Sequence, residues 1–214
     1  MDIFQIFYDN RNPEQAEQMA KYMRNMFPFI GLKKPERLAL AKEFLKQKGK
    51  DKKVDWDFIF KCYQLPEREF QYLAVDYMDK VRKLFTPADM DNIEKLLTTK
   101  SWWDTVDGIN RTVGHIAMKY PEVKEGKILK WMKSDNIWLK RISIIFQLKY
   151  KEKTDTEFLK KAILHNSQTN EFFIDKAIGW ALREYSKTNR EWVKEFIENN
   201  SLSKLSIREG SKYI

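Results

Sequence analysis

The chain has 214 residues, of which 43% are hydrophobic and 14% aromatic, with a formal charge of +9 and a pI near 9.4. That is enough apolar material for a sizeable core, and the basic balance points to an anionic partner, with nucleic acid the first candidate. A single cysteine excludes an intramolecular disulfide and a Cys-rich zinc site, and no apolar stretch reaches membrane-spanning length.

The N-terminal stretch "MDIFQIFYDNRN" lacks the basic region and apolar run of a signal peptide, so a cytoplasmic protein is expected. Asn12-Pro13-Glu14-Gln15 then supplies a cap, a Pro at the first helical position and a Gln three residues on, which predicts an opening helix over 12–25. Pro35 precedes an amphipathic run over 35–48, paired with a second over 54–64. The lone Cys62 sits there in "FIFKCYQL", where it reads as a small buried hydrophobe rather than a reactive thiol. Pro66 leads into a helix carrying Phe70, and Thr86-Pro87-Ala88-Asp89 caps the next, over 86–98. Helices starting near Trp103, Trp138 and Phe173 follow, each succeeded by a second helix, over 121–133, 154–165 and 188–199. No alternating strand pattern bounded by turn residues occurs. The reading is all-α.

Phe70, Trp103, Trp138 and Phe173 stand 33, 35 and 35 residues apart, each early in a longer helix. Helix pairs at this period stack into a curved solenoid, at least five pairs here, with one helix of each pair lining a concave face. A compact irregular bundle is the alternative. The stretch "KSWWDTVDGI", residues 100–109, breaks the local rule. Asp107 lies one helical turn beyond Trp103 on the same face, at a position that Ala74, Ile142 and Ala177 keep apolar in the other repeats. Arg141 and Lys176 likewise replace residues that earlier repeats keep apolar, Leu73 and Val106. Charge follows the same stretch. Residues 1–99 carry 18 Lys/Arg against 16 Asp/Glu, whereas residues 100–214 carry 22 against 15.

The motifs "SWWDTVD", "WLKRISIIFQL" and "AIGWALREYSK", in that order, resemble the AlkD-like family of bacterial alkylpurine DNA glycosylases. "MAKYMRNMFPFIGLKKPER" near the start and "LSKLSIREGSKYI" at the end are also similar to that family. The resemblance therefore spans residues 1–214, read as one domain. It implies HEAT-like repeats and a basic concave groove that holds duplex DNA. The implied activity is hydrolysis of the N-glycosidic bond of N3- or N7-alkylated purines, without strand nicking, cofactor or metal, by a monomer. By matched motif the catalytic carboxylate is Asp107. Trp103 and Trp180 are the aromatic walls, and Arg141 is a DNA-backbone contact at the same cleft. Lys149 and Arg183 fall at positions suited to phosphates, and Tyr22 at a cleft tyrosine. The resemblance also implies that the lesioned strand is cupped without a base-binding pocket. Gly210 and Ser211 soften the final helix relative to that pattern.

The chemistry suits these residue types. A cationic alkylpurine is already a good leaving group, and bond breakage builds positive charge on the sugar, as in glycoside hydrolysis. A preorganised carboxylate stabilises that charge, and tryptophan faces attract cations. Each residue also has a plainer reading. Trp102, Trp131, Trp138 and Trp192 read as core or repeat-packing residues, Asp104 as a local cap, and Arg141 as the partner of a carboxylate in an adjoining repeat. His115 and His165 lack ligand-type spacing. No Gly-rich phosphate loop or Ser/His/Asp order supports nucleotide hydrolysis or acyl transfer. A strand-nicking glycosylase would need an amine nucleophile, and no motif nominates one. The competing function is a non-catalytic HEAT-like module that binds nucleic acid or protein. Such a binder has no reason to hold an acid against phosphates.

Overall fold

A computed structural model describes residues 2–214. Among the described residues there are thirteen α-helices and no strand, and no helix is long and apolar enough to cross a membrane. The chain divides after Phe85 into two compact units.

The N-terminal unit holds α1 (Ile3–Asp9), α2 (Pro13–Tyr22), α3 (Lys34–Lys48), α4 (Trp56–Gln64) and α5 (Arg68–Lys80). α1 is a helix that the periodicity did not reveal. It is short, capped by the Asp2 carboxylate on the Phe4 amide, and buries only Ile3 and Phe7. α2 begins as its cap predicts, with the Asn12 side chain accepting from the Gln15 amide at 3.0 Å. It ends sooner than expected, because Arg24 and Asn25 both adopt φ of 56°, in the left-handed region that stops a helix. The core forms where α1, α3, α4 and α5 meet, around Phe7, Phe58, Ile59, Phe70, Leu73 and Tyr77. Burying each such side chain is worth roughly 1.5–3 kcal/mol. Phe70 is ringed by Phe4, Phe7 and Tyr8 at 5.3–5.8 Å.

A buried carboxylate fixes the link between α2 and α3. Glu69 accepts from the backbone amides of Ile30, Gly31 and Leu32 at 3.0, 2.8 and 3.1 Å. Burial pushes its carboxyl above the ordinary range even so. Gly31 has φ of 102°, and a Cβ there would overlap the Asn12 carbonyl oxygen. Only glycine fits both demands.

The C-terminal unit holds α6 (Met90–Thr98), α7 (Trp103–Lys119), α8 (Leu129–Met132), α9 (Ile137–Ile145), α10 (Thr156–Asn166), α11 (Phe172–Ser186), α12 (Arg190–Asn199) and α13 (Lys204–Gly210). A 3₁₀ turn at Pro87–Asp89 precedes α6, and a π-helical stretch at Lys124–Ile128 runs into α8. The starts are set locally. Asn136, Asp155, Asn189 and Ser203 each accept from an amide in the first turn of α9, α10, α12 and α13, worth about 1 kcal/mol apiece.

Within this unit α7 packs on α9, α9 on α11 and α11 on α13. The other helices pack against that series: α6 on α7 and α9, α8 and α10 on α9, and α12 on α11. The helices that recur with the aromatic period thus touch one another in chain order. Trp138 and Phe173 meet at 5.0 Å, as the period requires. The third ring of that cluster comes from Trp102, 5.7 Å from Trp138 and 5.2 Å from Phe173. The packing aromatic of this repeat is therefore one residue earlier than the period assigned it, because Trp102 is the extended residue just before the first turn of α7. Trp131 is buried, and its indole N–H donates to Glu94 at 2.7 Å. Close approach of α7 and α9 depends on Gly114, where a Cβ would overlap the Phe146 carbonyl oxygen. The same glycine's carbonyl accepts from the Tyr150 hydroxyl.

Candidate active site

Trp103 and Asp107 lie at the start of α7, one turn apart on one face, and both are half-buried. Asp107 faces α9. Arg141 donates to it through Nε at 2.7 Å and Nη2 at 2.8 Å, a bidentate pair spanning two helices. The remaining arm, Nη1, donates to the Phe173 carbonyl oxygen at the start of α11, at 2.6 Å. One guanidinium thus ties α7, α9 and α11 together. That use of Arg141 matches its plainer sequence reading, and it leaves two of its five N–H groups outside these bonds.

The Asp107 side chain is 18% exposed and that of Arg141 only 6%. Burial pushes the Asp107 carboxyl above the usual range, and the Arg141 hydrogen bonds and charge offset this only in part. The result is a carboxylate fixed in orientation, reachable from one side, and held in a setting where its charge is poorly solvated. Such a group interacts strongly with any positive charge that appears beside it. Through the Phe173 carbonyl, Arg141 also connects the pair to a residue of the ring cluster of Trp102, Trp138 and Phe173.

Trp180 lies half-buried on α11, seven residues beyond Phe173. Arg183 follows one turn later. It is not joined to the Asp107–Arg141 pair but donates to Glu209 on α13 at 2.7 Å. Ten residues separate it from Phe173, about 15 Å along the helix. Lys149, just past α9, pairs with Glu184 of α11 at 2.8 Å, and Lys187 reaches the other oxygen of Glu184 at 2.7 Å. Tyr22 closes α2 in the N-terminal unit with 73% of its surface exposed. Among the described residues no group of three or more His, Cys, Asp or Glu could hold a metal ion.

The sequence reading missed the acids that partner its cations. Glu209 stands 33 residues past Lys176, so extending the period by one more repeat would have found it. Glu184 carries no such signal, since acids on helical surfaces are common.

These features define an all-helical protein whose candidate site pairs a half-buried aspartate with an arginine, one turn from a tryptophan. The family model described as DNA alkylation repair enzyme matches residues 3–214, and the chain belongs to that family. Among solved structures it is similar to a "Predicted DNA alkylation repair enzyme from Enterococcus faecalis", with 39% identity over 95% of this chain and 96% of that one and a TM-score of 0.90. No curated protein matches.

Proposed function

We propose that this member of the DNA alkylation repair family is a monofunctional alkylpurine DNA glycosylase. Its HEAT-like helix pairs would present a basic groove to duplex DNA and release cationic N3- and N7-alkylated purines by N-glycosidic hydrolysis. On this reading residues 1–214 act as one domain, as a monomer, in the cytoplasm. The observation that carries the reading is the bidentate Arg141 grip on Asp107, one turn from Trp103. A structural ion pair needs no opening to solvent, yet Asp107 keeps one exposed side.

In this mechanism Arg141 holds Asp107 ionised and aimed. Bond breakage moves positive charge from the base to the sugar, and the fixed carboxylate stabilises the oxocarbenium and orients the attacking water. Arg141 is then first a positioning group. Trp103 and Trp180 add cation–π attraction to the lesion and the sugar, worth about 0.5–2 kcal/mol each. Lys149, Arg183 and Tyr22 contact the DNA backbone. No acid is needed for a cationic leaving group, and none is proposed.

The test is single-turnover release of base from 7-methylguanine duplex DNA by wild type and Asp107→Asn. Losing one preorganised charge should cost about 2–4 kcal/mol, or roughly 30- to 1,000-fold in rate, with DNA affinity equal or higher. Hypoxanthine, a neutral base, should not be released. An undiminished Asp107→Asn rate would refute the role of the carboxylate, and no base release by wild type would leave the non-catalytic binding module.

A further inference from the structure

The helix α13 contributes a single acid to the C-terminal unit in a position no surface acid needs. The Glu209 side chain is 9% exposed, yet four cations converge on it. Lys176 approaches Oε1 at 3.1 Å and Arg208 at 3.9 Å, while Arg183 and Lys212 each lie 2.7 Å from Oε2. All four are more exposed than the acid beneath them. Their excess over Glu209 is three positive charges, at a surface that solvent and ligand can reach.

The backbone has been shaped to allow this. Gly179 brings α11 against α13 so closely that a Cβ there would overlap the Cβ of Glu209, and Gly210 sits against Leu182. On α11, Lys176 precedes Trp180 by four residues and Arg183 follows it by three, so the three share a face. Glu209 therefore holds a cation on each side of a half-buried aromatic ring. The ion pairs do not use the cations up. A lysine has three N–H donors and an arginine five, and each spends only part of that set on Glu209.

We propose that Glu209 is a positioning residue of a phosphodiester-binding site formed by α11 and α13, in which it sets Lys176 and Arg183 astride Trp180 while Lys212 and Arg208 add contacts. This rests on the DNA reading above and extends it to the C-terminal helix. Long cationic side chains lose up to about 2 kcal/mol of rotamer entropy when fixed. A buried acid that fixes them beforehand lowers that loss on binding. Hydrogen bonds from Lys212 and Lys176 draw the Glu209 carboxyl down to about 2, so it stays ionised throughout the neutral range.

Charge counting and positioning predict opposite signs, which makes the site testable. The measurement is binding of a fluorescent DNA duplex over a salt series, with circular dichroism melts of each variant. Lys176→Gln should lower affinity and flatten the log–log salt slope by about one unit. Glu209→Gln makes the protein more positive, yet it should bind roughly three- to tenfold more weakly, the scale of a weakened charged hydrogen bond. In base release it should raise the half-saturating concentration and leave the maximal single-turnover rate unchanged. The exposed Glu198→Gln alters net charge equally and should bind as wild type or slightly tighter. Glu209→Gln binding as tightly as wild type, or Lys176→Gln with an unchanged slope, overturns the site while leaving the DNA reading intact. Should Glu209→Gln fail to fold, the Lys176→Gln slope decides. Wild-type protein without salt-dependent duplex binding overturns both.

Discussion

Replacing Arg141 by methionine keeps an unbranched apolar stem in its place but removes three hydrogen bonds, two to Asp107 and one to the Phe173 carbonyl. Removing one partner of a buried ion pair costs about 3–5 kcal/mol, because it strands the other charge. Asp107 retains some contact with water, so the lower end applies, about 3 kcal/mol near pH 8. For a chain of this size that is a fall in Tm of roughly 6–12 °C. The cost must depend on pH, and the sign follows from the Asp107 carboxyl. Its folded pKa lies above the ordinary value because burial disfavours the charged form. Such a group contributes stability that is fully present below the unfolded pKa and lost as pH rises through the folded one. Without Arg141 the folded value rises further, so the variant loses more on the way to neutral pH. Its deficit should therefore be smaller at pH 5 than at pH 8, because the stranded Asp107 is relieved whenever it takes up a proton. Urea unfolding followed by tryptophan fluorescence at the two pH values measures this. A deficit under about 1 kcal/mol, or one equal at both pH values, would refute the view that Arg141 compensates a desolvated carboxylate.

Two further expectations concern the N-terminal unit. Gly31→Ala combines a left-handed φ with overlap on the Asn12 carbonyl and should cost about 2 kcal/mol or more in a thermal melt; a change within about 0.5 kcal/mol would show that the link between α2 and α3 relaxes freely. Cys62 is fully buried and its thiol is pushed well above the ordinary range by that burial, so iodoacetamide should label it in urea and not in the native protein. Rapid native labelling would mean that α4 opens locally.

The sequence by itself determined most of what is local. The Asn12 cap acts through the first turn of its own helix, so its spacing alone placed the start of α2. Within the C-terminal unit the aromatic period survived from α9 to α11, where Trp138 and Phe173 meet. It slipped only at Trp102, where two tryptophans in succession offered the same chemical signal and backbone direction at the cap chose between them. Tertiary structure decided the rest. The sequence offered Arg141 a carboxylate in an adjoining repeat, but that it closes on Asp107, 34 residues away, depends on how α7 and α9 pack. The gathering of Lys176 and Arg183 on Glu209 depends in turn on Gly179 and Gly210 letting α11 and α13 come close. Caps and periods are read over a few residues, whereas a charge finds its partner only once helices distant in sequence share a surface.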